Sequence, residues 1–214
     1  KRLIIYFLAI IAHSVQFDNN SDMINKPYSE ACEQNKEPIL SIISQYFTKD
    51  KATVLEIGSG TGQHASYFPK HLAHLSWQPS DTESNITGIE AWRQSTNLAN
   101  VHPAMILDVT QPHWPISSVD YIFSANTLHI MSWAAVEIMF AGIRSILKPD
   151  GLFCAYGPFN YNGEFSSPSN AQFDLWLKAR DPNSGVRDFE ALCALGVKES
   201  VNPEPSQLQL KLIK

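Results

Sequence analysis

The segment VLEIGSGTGQHA, from Val54 to Ala65, constrains the fold of this chain more than any other feature. It begins as a short apolar run typical of a buried strand, and it then carries glycine at positions 58, 60 and 62. Such a stretch, continued by a helix, is typical of the first strand-to-helix loop of a doubly wound α/β sheet, where ligands bind. Glycine allows unusual backbone dihedral angles there and removes Cβ atoms that would hold a ligand away from the backbone.

The rest of the sequence alternates predicted strands and helices. A helix is expected to begin after Gly62 and to run to about His71. The other predicted strands are HLSWQPSD, AMILDV, VDYIFSAN and LFCAYG, and further helices are predicted around Ile86 to Leu98 and in AAVEIMFAGIRSIL. Because parallel strands need crossover connections, this order predicts a Rossmann-like, doubly wound and mainly parallel α/β sheet.

Proline and glycine predict two local features. Pro38 is expected only near the start of the first helix or at a break in it, after a polar entry segment from Ser29. Lys148, Pro149, Asp150 and Gly151 are expected to form a turn between a helix and the fifth strand.

Length and composition limit the classes of function. The chain has 214 residues, enough for one domain with a full hydrophobic core. Its net charge is −5, and Lys and Arg are adjacent only in the opening pair, so general nucleic-acid binding is not favoured. The three cysteines and seven histidines lack the spacing of a disulfide framework or a metal site, so no metal ligands are predicted.

The spacing of the glycines distinguishes two kinds of nucleotide-binding loop. The dinucleotide fingerprint G-x-G-x-x-G needs glycine at position 63, where this chain has Gln63. The form E-x-G-x-G-x-G instead resembles motif one of the class I S-adenosylmethionine-dependent methyltransferases. The resemblance implies a site for S-adenosyl-L-methionine (SAM), formed in this loop by Glu56, Gly58, Ser59, Gly60 and Gly62.

Acidic residues at three strand ends extend this implied site. Glu56 would offset the cationic amino or sulfonium group of the ligand. Asp81 ends the second strand, 19 residues after Gly62, where an acidic side chain accepts hydrogen bonds from both ribose hydroxyls. Asp108 ends the third strand, where the family presents a polar group to the adenine amine. The other interpretations are a helix-capping role for Asp81, because SDTE resembles a capping box, and a turn role for Asp108.

Catalytic candidates follow the fourth strand. Asn126 would orient the cofactor or the acceptor. His129 would act as a general base, because an unperturbed imidazole titrates near neutrality, and its alternative is a structural role. Tyr156, Asn160 and Tyr161 are expected on the loop after the fifth strand, over the same end of the sheet. Arg180, Arg187 and Asp188 would either bind an acidic acceptor or form ion pairs that fix their loop.

A longer resemblance, from about Tyr28 to the C-terminus, is to the branch of this superfamily that includes the methyltransferase-like 26 proteins. It rests on YSEACEQNKEPIL, WQPSD, NTLHIMSW and above all on the segment from Tyr156 to Leu192. The chain departs from that group at Gln34, where an arginine is usual. Its C-terminal hairpin is expected to be shortened, although leucines alternate as in a final strand at positions 208, 210 and 212.

The first residues differ from the rest of the chain. KRLIIYFLAIIAHS has a basic start, ten apolar residues from Leu3 to Ala12 and small residues near Ser14, as in a secretory signal. The apolar run is too short for a stable membrane span. We divide the chain into an N-terminal extension, residues 1–22, and a methyltransferase-like domain, residues 23–214. The domain is typical of a cytoplasmic enzyme, with export or membrane targeting as the alternative if residues 1–14 act as a signal.

The predicted function is therefore methyl transfer from SAM to an unidentified acceptor. The acidic balance favours a small-molecule acceptor over a macromolecule. One alternative is a non-catalytic module that binds SAM or a protein partner. A nicotinamide-dependent dehydrogenase is the other alternative, against which Gln63 and the lack of a Tyr-x-x-x-Lys pair argue.

Overall fold

A computed structural model describes residues 26–197 and 209–213, so the predicted N-terminal extension lies outside the described residues. The strands are β1 (Thr53–Ile57), β2 (Ser76–Asp81), β3 (Met105–Ile106), β4 (Val119–Ala125), β5 (Leu147–Tyr156), β6 (Phe159–Asn160), β7 (Arg187–Asp188) and β8 (Gln209–Ile213). The helices are α1 (Glu30–Tyr46), α2 (Gln63–His71), α3 (Glu83–Thr96), α4 (Trp133–Ile146), α5 (Pro168–Arg180) and α6 (Phe189–Val197).

Six strands form one parallel sheet in the order β3-β2-β1-β4-β5-β8. The predicted doubly wound α/β class is confirmed. The chain moves outward from β1 to β3 and then returns to place β4 on the other side of β1. Ligands bind beside such a reversal in open α/β sheets, at the carboxyl ends of the strands. At the C-terminus, the described residues contribute the expected final strand, β8, but no second strand of a hairpin.

Alternate side chains along the central strands pack on opposite faces of the sheet. Val54 packs with α1 and α2, whereas the next residue, Leu55, packs with α4 and α6. The same alternation relates Phe123 to Ile122 in β4. The sheet is thus buried on both sides, which explains why its strands read as nearly continuous apolar runs.

Two local predictions were wrong. Helix α1 runs without a break through Pro38, because Ile39 and Ile43 are fully buried on the sheet and this packing outweighs one lost helical hydrogen bond. The predicted turn at residues 148–151 lies within β5, where the register with β4 shifts between Val119 and Tyr121. The shift absorbs the extra residues, and Asp150 adopts a left-handed φ of 62° there.

In the part of the chain that the structure describes, no helix combines the length and the hydrophobicity needed to cross a membrane.

Candidate functional site

The glycine-rich loop joins the carboxyl end of β1 to α2 and is held against β2. The backbone N–H groups of Gly58 and Ser59 both donate to the carbonyl of Ser80, each at 3.0 Å. All three glycines have left-handed φ values, 74° at Gly58, 56° at Gly60 and 91° at Gly62. The loop thus has the backbone conformation that the glycine pattern predicts.

The three glycines have different surroundings. A Cβ atom at position 58 would lie 2.5 Å from Thr127 Oγ1, and one at position 62 would lie 2.7 Å from the Cα of Ile89 in α3. A Cβ at Gly60 would meet no described atom within 4 Å. Packing inside the protein therefore requires glycine at positions 58 and 62, whereas Gly60 faces open space that a ligand can approach.

Asp81, at the end of β2, contacts this loop directly. Its Oδ2 accepts a hydrogen bond from the N–H of Gly60 at 2.7 Å. Its Oδ1 accepts from the N–H of Thr82 at 2.7 Å and from Asn85 Nδ2 at 2.9 Å. The structure thus brings Asp81 and the glycine loop together, and the same carboxylate stabilises the start of α3.

Glu56 and Ser59 point into the protein. The Glu56 carboxylate is 1% exposed and accepts a 2.7 Å hydrogen bond from Trp77 Nε1. Burial raises the pKa of Glu56 to about 7, although the hydrogen bonds from Trp77 and Ser59 act in the opposite direction. Ser59 Oγ accepts from the N–H of Ser80 at 3.2 Å. Both residues therefore support the loop from beneath, and any effect of Glu56 on a ligand would be electrostatic through the loop.

Asp108 has the contacts of a turn residue. It is exposed, and its Oδ1 accepts from the backbone N–H and the hydroxyl of Thr110, at 2.9 and 2.7 Å. These hydrogen bonds lower the pKa of Asp108. The residue stands at the same edge of the sheet as Asp81, because Leu107 N–H donates to the carbonyl of Asp81. Its carboxylate is directed to its own turn.

Asn126 and Thr127 follow β4 and face the glycine loop across the point where the strand order reverses. Asn126 has a left-handed φ of 56°, which is uncommon outside glycine, and its N–H donates to the carbonyl of Tyr156 at 2.9 Å. Such conformations cluster at functional sites. Asn126 therefore lies between the glycine-rich loop and the end of β5.

His129 is almost completely buried, whereas a general base must reach the acceptor. It is 6% exposed and packs edge-to-face on Phe173 of α5, with ring centroids 5.2 Å apart. Burial, and then the positive charge of Arg187, lower the pKa of His129 to about 4. The imidazole is thus neutral at pH 7 and a much weaker base than the sequence suggested.

A cavity of about 620 Å³ opens beside Asn126. It lies between the first turns of α1, the ends of β4 and β5, and the start of α5. Its apolar wall includes Pro38, Pro158 and Phe159, and Gly157 also lines the cavity. Its polar lining consists of Gln34, Asn35, Asn126, Tyr156, Ser166 and Asn170.

Arg180, Arg187 and Asp188 contact backbone or aromatic partners. Arg187 donates to the carbonyls of Leu128 and Asn183, each at 3.0 Å, and also to that of Met131. Asp188 accepts from the N–H of Gly163. Arg180 stacks on Trp176, 4.6 Å from the ring centroid. These contacts stabilise loops, but the partners are backbone groups and an aromatic ring in place of the expected ion pairs.

The sequence analysis did not select the amide residues Asn35 and Asn170 of the cavity. Asn35 also forms a 2.7 Å hydrogen bond with His64 in the interior. Both lie in helices, where neutral polar side chains carry no periodic signal of function. Only the resemblance in YSEACEQNKEPIL pointed to that part of α1.

Comparison with known proteins defines the family. The chain belongs to the family described as "Protein of unknown function (DUF938)", whose model matches residues 26–206.

The solved structures with the same fold include methyltransferases. An O-methyltransferase family protein from Burkholderia thailandensis is 13% identical, with a TM-score of 0.68 over 78% of this chain and 51% of that chain. Human N-acetylserotonin methyltransferase in complex with SAM is 14% identical, with a TM-score of 0.62 over 78% and 46%. PigF with S-adenosylhomocysteine (SAH) is 14% identical, with a TM-score of 0.66 over 76% and 49%. The chain therefore has the fold of these three proteins and spans about half of their length.

Proposed function

We propose that this member of the DUF938 family transfers a methyl group from SAM to a small molecule. The observation that carries the proposal is the convergence of three features at the reversal of the strand order. These are the glycine loop after β1, the Asp81 carboxylate that holds it, and Asn126 at the mouth of the cavity. Ligand sites of doubly wound sheets occupy this position.

The residues present fit SAM. Gly60 leaves open space above the loop, so a ligand can approach the backbone there. Asp81 stands beside that space with a carboxylate that accepts hydrogen bonds, as a ribose requires. Asp108 and the buried Glu56 are the further residues that we propose for the cofactor site, the second through its charge. When bound, SAM supplies a methyl group whose bond to the sulfonium sulfur breaks as the acceptor attacks.

The protein would contribute to the reaction mainly by positioning the acceptor. Asn126 is held in a strained conformation at the mouth of the cavity, where its amide can orient the acceptor. His129 can take a proton only weakly, because its pKa is about 4. We therefore propose Asn126 as the orienting group and His129 as a hydrogen-bond acceptor for the incoming molecule.

The proposal has two further parts. The acceptor is a small molecule, and the chain is more closely related to the methyltransferase-like 26 group than to other methyltransferases. A cavity of about 620 Å³ is in the size range of small-molecule sites. The segment from Tyr156 to Leu192, which carries the closer resemblance, supplies Ser166 and Asn170 of the lining.

Calorimetric titration of the full chain with SAM and SAH tests the proposal, with NAD as a control. We expect dissociation constants in the range of about 1 to 100 μM for both ligands, which corresponds to about −8 to −5.5 kcal/mol. We expect no measurable heat with NAD. A folded sample that binds neither SAM nor SAH would contradict the proposal and would favour the interpretation as a protein-interaction module.

A further inference from the structure

The cavity beside Asn126 is polar but uncharged. Within the described part of the chain, none of the residues that line it has a charged side chain. Its polar groups are amides, a hydroxyl and a phenol, which both donate and accept hydrogen bonds. A molecule in this cavity would therefore meet many neutral partners and no counter-ion.

Two ionisable groups, His129 and Arg187, lie close to the lining without belonging to it. His129 is neutral at pH 7, because burial lowers its pKa to about 4. Arg187 contacts the loop after β4, but its guanidinium donates to backbone carbonyls there, including those of Leu128 and Asn183. Its hydrogen-bonding capacity is directed away from an incoming ligand.

A charged group that enters such a site loses hydration without gaining an opposite charge. This cost is larger than the cost of burying a neutral polar group, which amide and hydroxyl partners compensate by hydrogen bonds. The lining therefore selects against carboxylates, phosphates and ammonium groups alike.

Gly157 shapes the position where a polar group of the ligand would lie. A Cβ atom there would stand 3.8 Å from Asn126 Oδ1, 3.8 Å from His129 Nδ1 and 3.8 Å from Phe159 Cζ. Because glycine carries no Cβ atom, a ligand can approach the backbone of residue 157 closely on the side that faces Asn126 and His129. A hydroxyl or amide N–H of a ligand that lies against this backbone can donate a hydrogen bond to the side-chain oxygen of Asn126, which lines the same cavity.

We propose that the methyl acceptor is an uncharged small molecule that carries hydroxyl or amide groups, and that the lack of a side chain at Gly157 lets one of these groups approach Asn126. This inference rests on the proposed function. It adds a class of substrate to that function and identifies Gly157 as a residue that determines specificity.

Benzamide, benzoate and benzamidine test the charge preference, because they share one planar shape and differ in charge. Each is titrated into the ¹⁵N-labelled full chain in the presence of SAH, and amide resonances are followed by NMR. We expect benzamide to shift the resonances of Asn126, Gly157 and Asn170, with an affinity at least about tenfold higher than that of either charged analogue.

Three variants test whether the charge preference arises from the lining of the cavity. Asn170→Lys adds a cation to the lining and is expected to raise the affinity for benzoate about tenfold. Gln172→Lys adds the same charge to an exposed position of the same helix and should leave all three affinities unchanged. Gly157→Ala fits the protein without a clash but places a methyl group on the approach to Asn126, so we expect about tenfold weaker benzamide binding with SAH binding retained.

The two proposals fail in different ways. If SAH binds but benzoate or benzamidine binds as well as benzamide, or no probe binds, the inference about the acceptor is wrong while the proposed function stands. If SAH does not bind to the folded chain, the proposed function fails and the inference fails with it.

Discussion

The carboxylate of Asp81 holds the backbone N–H of Gly60 at 2.7 Å, so the end of β2 determines the shape of the loop that follows β1. The other carboxylate oxygen binds the N–H of Thr82 at the start of α3. One side chain thus joins the central glycine of the loop to the next strand and helix. Removing it would affect the loop even before a ligand is considered.

Asp81→Ala is therefore expected to weaken SAH binding by about 1 to 3 kcal/mol, the usual cost of leaving a hydrogen-bonding partner unsatisfied. Calorimetry measures the change. Asp181→Ala is the matched control, because that carboxylate is exposed and accepts a hydrogen bond from the N–H of Asn183 in its own turn. Equal losses in the two variants would show that Asp81 has no special part in the site.

The glycines should differ in their tolerance of alanine. Gly62→Ala would place a Cβ atom 2.7 Å from the backbone of Ile89 and would force α3 away from the loop. We expect a loss of more than about 2 kcal/mol in the free energy of unfolding, measured by urea denaturation. Gly60→Ala has only the cost of its left-handed φ, about 1 kcal/mol, because its Cβ would lie in open space. Similar losses in both variants would contradict the packing role of Gly62.

Because the pKa of Glu56 is raised in the folded protein, the stability of the protein should depend on pH. This pKa is about 7 in the folded protein because of burial, whereas in the unfolded chain the carboxyl ionises near its ordinary value of 4.5. Between these values the unfolded chain binds fewer protons, so Glu56 makes the folded state less stable as pH rises from 4.5 to 7. The loss amounts to roughly 3 kcal/mol.

Glu56→Gln mimics the protonated carboxyl and can still accept the hydrogen bond from Trp77. We expect its free energy of unfolding to lack that decline between pH 4.5 and 7, as measured by urea denaturation across this range. Parallel pH profiles for the variant and the native chain would refute the assignment of the raised pKa to Glu56.

Arg187→Lys should loosen the loop after β4. The guanidinium donates to three carbonyls in two segments, and a lysine ammonium on a flexible stem cannot match this planar geometry. We expect about tenfold faster amide hydrogen exchange at residues 127–131, a change that corresponds to about 1.4 kcal/mol. Arg180→Lys, which alters an exposed stack on Trp176, is the control and should leave exchange in this loop unchanged.

Most of the secondary structure could be predicted because it depends on local patterns. Helix α2 begins after Gly62 and ends at His71, and β2 ends at Asp81, as the apolar periodicity and the glycine loop indicated. The errors arose where distant packing outweighs a local rule. Pro38 remains inside α1 because its neighbours are buried on the sheet, and Asp150 lies in a strand because β4 pairs with both sides of it.

The candidate site was only partly predictable. The glycines, Asp81 and Asn126 lie at the carboxyl ends of the neighbouring strands β1, β2 and β4, and a parallel sheet brings these ends to one edge. The environments of Glu56 and His129 were not predictable, because their burial depends on Trp77 of β2 and Phe173 of α5. Burial decides the charge of both groups.

The sequence by itself determined the alternation of strands and helices and the placement of the glycine loop after β1, since hydrophobic periodicity and glycine conformations act over a few residues. Only the tertiary structure decided which polar groups are buried, which charges bind the backbone, and that an uncharged cavity lies beside Asn126. Those properties depend on the packing of segments that are far apart in the chain, such as α1 against the ends of β4 and β5. No local pattern encodes the solvation of such a space.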